Sequence, residues 1–234
     1  MALHLADRGV DVILTYKGAA DAARAVVAVV AAKGRKAVAL QLDVADSTTF
    51  APFADVVKAA LAKTWQRDRF DFLVNNAGIG VHAAIPEVTE TQFDELFRIH
   101  LKAPMFLTQR LLPLISDGGR IVNVSTGLAR FAFPGYAAYA AMKGGVEVLT
   151  RYMAKELGAR KITVNVLAPG AIETDFGGGA VRDNKALNQQ IASLTALGRV
   201  GLPDDIGTAI AMLLSPEAGW ITGQRIEVSG GMLL

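Results

Sequence analysis

Short apolar runs rich in β-branched residues alternate along this chain with longer stretches whose apolar positions recur at helical spacing. VDVILTY (10–16) reads as a strand, and the Ala- and Val-rich stretch 19–33 reads as a helix stopped by Gly34. AVALQLDV (37–44) is a second strand, followed by a long helix from 46 to about Arg67. FDFLVNN (70–76), GRIVNVST (119–126), ITVNVLAPG (162–170) and RIEVSGG (225–231) complete the strands. Helical stretches fill 88–115, 136–158 and 203–214. Strands that are apolar throughout and separated by helices belong in a parallel sheet covered on both faces. Right-handed crossovers then predict one α/β domain over 1–234 with a doubly wound parallel sheet. No repeat or linker divides it.

Composition narrows the function classes. With 234 residues, 52% of them apolar, the chain can bury one large core. Net charge is only +2 and the basic residues are scattered, so despite a pI near 8.9 there is no nucleic-acid stripe or membrane-binding face. Absence of cysteine excludes disulfides, thiolate catalysis and cysteine-bound metals. The three histidines, His4, His82 and His100, lack metal-site spacing. No signal peptide opens the chain and no apolar run is long enough to span a bilayer, which predicts a soluble, cytoplasmic protein.

The candidate chemistry lies in YAAMK. Tyr139 and Lys143 are one helical turn apart and share a face, so the lysine ammonium can approach the phenol. A nearby cation favours phenolate and lowers a tyrosine pKa from its usual value of about 10, which suits general acid–base work on an alcohol or carbonyl oxygen. Alone the spacing is weak, since a tyrosine and lysine on a helix surface would produce it too. It comes, however, with NNAG at 75–78, the hydroxyl pair Ser125 and Thr126 at a strand end, and Pro169-Gly170 at another strand end. Together these resemble the short-chain dehydrogenase/reductase family over essentially the whole chain, nearest in flavour to 3-oxoacyl carrier-protein reductases.

That resemblance implies a Rossmann-like fold and an oxidoreductase that moves hydride between a nicotinamide cofactor and a carbonyl or secondary alcohol. Tyr139 would be the acid/base, Lys143 its tuner and a ribose contact, and Thr126, thirteen residues before Tyr139, the holder of the substrate oxygen. Ser125 is the alternative hydroxyl, and strand alternation sends the two side chains to opposite sides. His100 stands where the family usually has a water-holding asparagine; it fits a proton relay or a histidine simply packed in its helix. Asn75 and Asn76 would tie strands together, Ala77 and Gly78 would meet the cofactor, and Asp43-Val44 would meet its adenine unless Asp43 is only a helix cap. Lys17, with no acid beside it at the end of the first strand, favours NADP over NAD, although a solvated lysine would look the same. Pro169, Gly170, Ile172 and Thr174 would face the nicotinamide. The stretch 174–199, with Gly177-Gly178-Gly179, resembles a mobile substrate lid, and Phe131, Phe133 and Phe176 are candidates for the pocket wall. The family further suggests a homo-oligomer, tetramer or dimer, built through 88–115, 136–158 and the C-terminal segment.

MALHLADRG at the start reads as the second half of a helix capped by Gly9. The resemblance places a strand and a glycine-rich phosphate loop before that helix, so the sheet is expected to lack its first, central strand. Two readings stand: a chain start placed downstream of the natural one, or a family member that has lost cofactor binding. The second would make the protein a non-catalytic Rossmann-like scaffold or partner subunit.

Overall fold

The computed structural model describes residues 1–234. Helix α1 (Ala2–Asp7) ends at Gly9, whose φ of 81° lies in the left-handed region that a helix stop requires. Strand β1 (Val12–Tyr16), helix α2 (Ala20–Ala32) and strand β2 (Ala37–Gln41) follow, and β1 and β2 pair in parallel from Val12↔Ala37 to Tyr16↔Gln41. Asp46, not Asp43, caps the next turn by accepting from the Thr48 amide. Beyond it run α3 (Phe50–Trp65) and β3 (Phe70–Asn75).

The predicted helix over 88–115 is two helices, α4 (Glu90–Phe97) and α5 (Ala103–Leu111), joined by a single π-turn at Arg98–Lys102. Leu112–Leu114 closes α5 with a tight turn, and Ile115, predicted as helix, already pairs with Phe70. Strand β4 (Ile115–Val124) therefore starts earlier than its apolar run suggests. Proline at 113 removes the amide that would carry the helix onward. Helix α6 (Ala137–Leu157), strand β5 (Thr163–Pro169), the short helices α7 (Ala180–Asp183) and α8 (Lys185–Ser193), α9 (Pro203–Leu213) and strand β6 (Arg225–Val228) complete the chain.

Strands β3-β4-β5-β6 form a parallel sheet in that order, and β1-β2 form a second parallel pair. Successive β4 residues serve opposite faces: Ile121 packs with Met153, Ile162 and Val164, while Val122 packs with Leu167, Ile206 and Ile210 of the α9 side. A third cluster, Phe50, Phe53, Val57 and Leu61 with Ala103, Leu107 and Leu111, joins α3 to α5. This is the doubly wound arrangement with helices on both faces. The sheet is split as expected, because no strand lies between β1 and β3. Their facing edges border an apolar cleft of about 650 Å³ whose walls include Val12, Leu14, Phe72 and Val74 and which reaches His100 and Lys143. No helix is long and apolar enough to cross a membrane.

Candidate active site

Three elements converge where β4 ends. Asn75 at the end of β3 donates to Asn123 Oδ1 at 2.8 Å and to Thr108 Oγ1 at 3.1 Å, and Asn123 donates on to Thr150 Oγ1 at 2.8 Å. This chain of amides and hydroxyls, with Asn123 fully buried, ties β3, β4, α5 and α6 together. Asn75 thus has the strand-tying role expected of it, whereas Asn76, Ala77 and Gly78 are exposed beyond the strand end.

Helix α6 carries Tyr139 and Lys143 on its buried face, 6% and 5% exposed. Lys143 Nζ donates to the Val124 carbonyl at 2.7 Å and lies 5.7 Å over the Tyr139 ring. Burial pushes Lys143 down to about 8 and Tyr139 up to about 12, with the neighbouring Thr126 hydroxyl working against the latter rise. The expected lowering of the phenol pKa by Lys143 is therefore not what this structure holds. The cation addresses the ring face, and desolvation of the phenolate outweighs it.

The two neighbouring hydroxyls separate cleanly. Ser125 Oγ donates to Glu147 Oε1 at 2.7 Å, away from the tyrosine, while Thr126 borders the phenol and accepts from the Leu128 amide at 3.3 Å. Of the two hydroxyls, Thr126 is the one beside the Tyr139 phenol.

His100 sits in the π-turn, 1% exposed, edge-on to Tyr139 with ring centroids 5.1 Å apart. Its Nε2 lies 2.9 Å from the Ile79 carbonyl and 3.2 Å from the Ile79 amide, and Nδ1 is buried without a partner. Burial, reinforced by the Lys143 charge, depresses its pKa to about 3, so the imidazole is neutral at physiological pH. The ring also explains Gly78: a Cβ there would come within 2.8 Å of His100 Cε1.

The remaining candidates divide into two groups. Val44, Asn75 and Ala77 line the cleft together with His100 and Lys143. Lys17 and Asp43 pair with each other at 3.0 Å, and Asp43 is held below the usual carboxylate range by the Ala45 amide and then by Lys17. Pro169 ends β5, and Gly170 is required by the chain itself, since a Cβ would meet Ser229 Cα at 2.9 Å. Ile172 bridges to Gly201, and the Thr174 hydroxyl accepts from Phe176 N at 3.3 Å. In the stretch expected to form a lid, Gly177, Gly178 and Gly179 all have positive φ, and the Phe176 ring lies 5.8 Å from that of Tyr139. Phe131 and Phe133 stack edge-on at 6.0 Å nearby in sequence, after Thr126.

Sequence patterns passed over Glu147 and Arg225. The signal for Glu147 was there, since Tyr139, Lys143 and Glu147 fall at successive turns of one helix face. Nothing local marks Arg225, which reaches Glu147 from the far edge strand at 2.8 Å.

Half-buried Thr126 beside buried Tyr139 and Lys143, at the C-terminal end of a doubly wound parallel sheet, makes a Rossmann-like site suited to redox chemistry on an oxygen-bearing carbon. The family described as enoyl-(acyl carrier protein) reductase matches residues 1–233, and the chain belongs to the short-chain dehydrogenase/reductase family. It is 36% identical over 242 aligned residues to tetrahydroxynaphthalene reductase PfmaG of Pestalotiopsis fici, covering 99% of this chain and 85% of that one. Reductase LugOII, which catalyses keto-reduction at C1 during lugdunomycin biosynthesis, superposes with a TM-score of 0.94 at 35% identity, covering 100% of this chain and 92% of that one. The angucycline C-6 ketoreductase LanV with bound NADP also gives 0.94, at 34% identity, over 99% of this chain and 89% of that one.

The residues present suit a nicotinamide dinucleotide. The cleft reaches the Lys143 ammonium and the His100 ring, and its largely apolar lining also carries Thr15, Asn75 and Asn76 with the charged Asp11, Arg35, Arg67 and Asp71. At the end of β1, exposed Lys17 supplies a cation, for which a phosphate would compete with Asp43.

Proposed function

We propose that this protein is an NADP-dependent ketoreductase acting on aromatic ketones, with Tyr139 as general acid. The observation that carries this reading is the convergence of Thr126, Tyr139 and Lys143 at the end of β4, under the aromatic lid residue Phe176. Similarity to a tetrahydroxynaphthalene reductase and to an angucycline C-6 ketoreductase supports the substrate class. The reduced nicotinamide supplies the hydride when the cofactor is bound. The Thr126 hydroxyl holds the carbonyl oxygen, and the Tyr139 phenol, kept protonated by burial, delivers a proton to it. An alkoxide is a far stronger base than a phenolate, so the transfer runs downhill even from a phenol at about 12. Lys143 stabilises the phenolate left behind through its charge over the ring. Neutral His100, edge-on to the Tyr139 ring, serves as the relay by taking up a proton at its free Nδ1 and releasing that same proton toward the phenolate, while Nε2–H stays on the Ile79 carbonyl. No feature of the site favours the scaffold reading. The test is NADPH oxidation by the purified chain with a tetralone and an aliphatic ketone; failure with every carbonyl would overturn the proposal.

Lys17 is the cofactor selector within this reading. Lys17→Gln should raise the KM for NADPH about tenfold, the value of one charge-assisted contact, and leave that for NADH unchanged. Equal effects on both cofactors would remove Lys17 from the 2′-phosphate site.

The proposal includes a cytoplasmic site of action, where NADPH is regenerated, and pairing of two copies through α4, α5 and α6. Phe93, Phe97, Met105, Phe106, Val148 and Tyr152 stand exposed on these helices, with α4 packed on α6. Sedimentation of the purified chain should give a dimer or tetramer, and a monomer at micromolar concentration would overturn the pairing.

A further inference from the structure

We propose that Glu147 and Arg225 are positioning residues that clamp the end of β4 and thereby aim the Thr126 hydroxyl at Tyr139. This rests on the ketoreductase reading and adds to it two residues far from the reacting atoms.

Three consecutive residues at the end of β4 are addressed by three consecutive turns of α6. Val124 presents its carbonyl to Lys143, Ser125 gives its hydroxyl to Glu147, and Thr126 lies beside Tyr139. Glu147 would be a poorly placed lone carboxylate, 15% exposed, were it not met by Arg225. The Arg225 guanidinium spends its fork on three acceptors from three elements. Nε donates to Glu147 Oε1 at 2.8 Å, Nη1 to Glu227 Oε2 at 2.9 Å, and Nη2 to the Thr126 carbonyl at 3.0 Å. Arg130, just past Thr126 in the chain, donates to the same Glu227 oxygen at 2.8 Å.

The geometry gives this network a function beyond holding β6 to the sheet. Thr126 is the first residue past the ladder that uses no strand partner of its own; the last such bond is Ser125 N to the Leu167 carbonyl at 2.8 Å. Its carbonyl, pinned by Arg225, and its side chain share one Cα, so fixing the peptide fixes the direction of the Cα–Cβ bond. Engaging Ser125 with Glu147 at the same time removes the competing hydroxyl from the site. The guanidinium spreads its donors over three nitrogens and so spans three separated acceptors; a lysine ammonium has three donors too, but on a single nitrogen that cannot reach all three.

The decisive test is a double-mutant cycle in the full chain. Arg225→Met should lower kcat/KM for the ketone by up to about 10²-fold, the effect of roughly 1 Å of misplacement, with the NADPH KM nearly unchanged. Glu147→Ala should behave alike, and Arg225→Lys should recover only part of the loss. In a Thr126→Ala background, Arg225→Met should cost almost nothing more, because the clamp works through Thr126. Equal losses in both backgrounds, or no loss in the first, would overturn the proposal. A second readout needs no turnover: hydrogen exchange of the amides at 126–130, including Leu128 N–H, should quicken in Arg225→Met while β5 stays protected. Unchanged exchange there would also overturn the clamp. If the unaltered chain reduced no ketone, the functional reading would fail and the exchange result alone would judge the clamp.

Discussion

Tyr139→Phe is expected to reduce ketone turnover by about 10²–10⁴-fold, the range associated with losing a positioned general acid. The substitution is unusually clean here. The ring is buried, with His100 edge-on at 5.1 Å and Phe176 at 5.8 Å, and a phenylalanine keeps both contacts and the volume between them. The phenol oxygen has no hydrogen-bonded partner whose loss would disturb the fold, apart from the influence of Thr126 beside it. Stability and NADPH affinity should therefore stay close to those of the unaltered protein while kcat collapses. Stopped-flow measurement of NADPH oxidation in a single turnover separates the chemical step from product release. If Tyr139→Phe retained a tenth or more of the single-turnover rate, Tyr139 would not be the proton donor.

The second large effect concerns acid stability. His100 has a folded pKa of about 3 against an ordinary value of 6.5, because it is buried and shares its surroundings with the Lys143 cation. Below pH 6.5 the unfolded chain takes up a proton on this ring and the folded chain does not, so stability falls with falling pH until about 3. Between pH 6.5 and 4.5 the loss from this one group is about 2 kcal/mol, less than two full units of roughly 1.4 kcal/mol because the unfolded ring is only half protonated at pH 6.5. His100→Asn removes the titration while leaving an amide that can still meet the Ile79 backbone. Urea unfolding of both proteins at pH 7 and 4.5 should show the variant losing about 2 kcal/mol less than the unaltered chain. Parallel losses would mean that His100 is protonated within the fold, and the neutral-relay role would go with it.

Several features of this protein could be read along the chain because they depend on near neighbours. β-branched apolar runs mark β1, β4 and β5, an aromatic and apolar run marks β3, and the helix stops at Gly9 and Gly34 follow from backbone conformations with φ of 81° and 73°. The pairing of Tyr139 with Lys143 follows from the 3.6-residue repeat alone, and so does the place of Glu147 beneath them. The amide role of Asn75 was legible from its place at the end of an apolar strand, where an unpaired side-chain amide needs partners.

What required the tertiary structure is everything set by burial or by distant partners. The π-turn at Arg98–Lys102 and the early start of β4 at Ile115 depend on how α5 meets the sheet, and neither leaves a periodic trace. Lys17 and Asp43, each a plausible cofactor contact by itself, meet across two strand ends as an exposed ion pair, so a phosphate reaching Lys17 competes with Asp43. Ser125 and Thr126 are adjacent and chemically alike, yet Glu147 and Arg225 decide between them from a helix and an edge strand. The phenol of Tyr139 carries the same lesson in its proton. Spacing brought a cation near and pointed to a lowered pKa, but the layers that bury the ring raise it to about 12. Periodicity is a property of the local chain, whereas desolvation is a property of whatever folds over it.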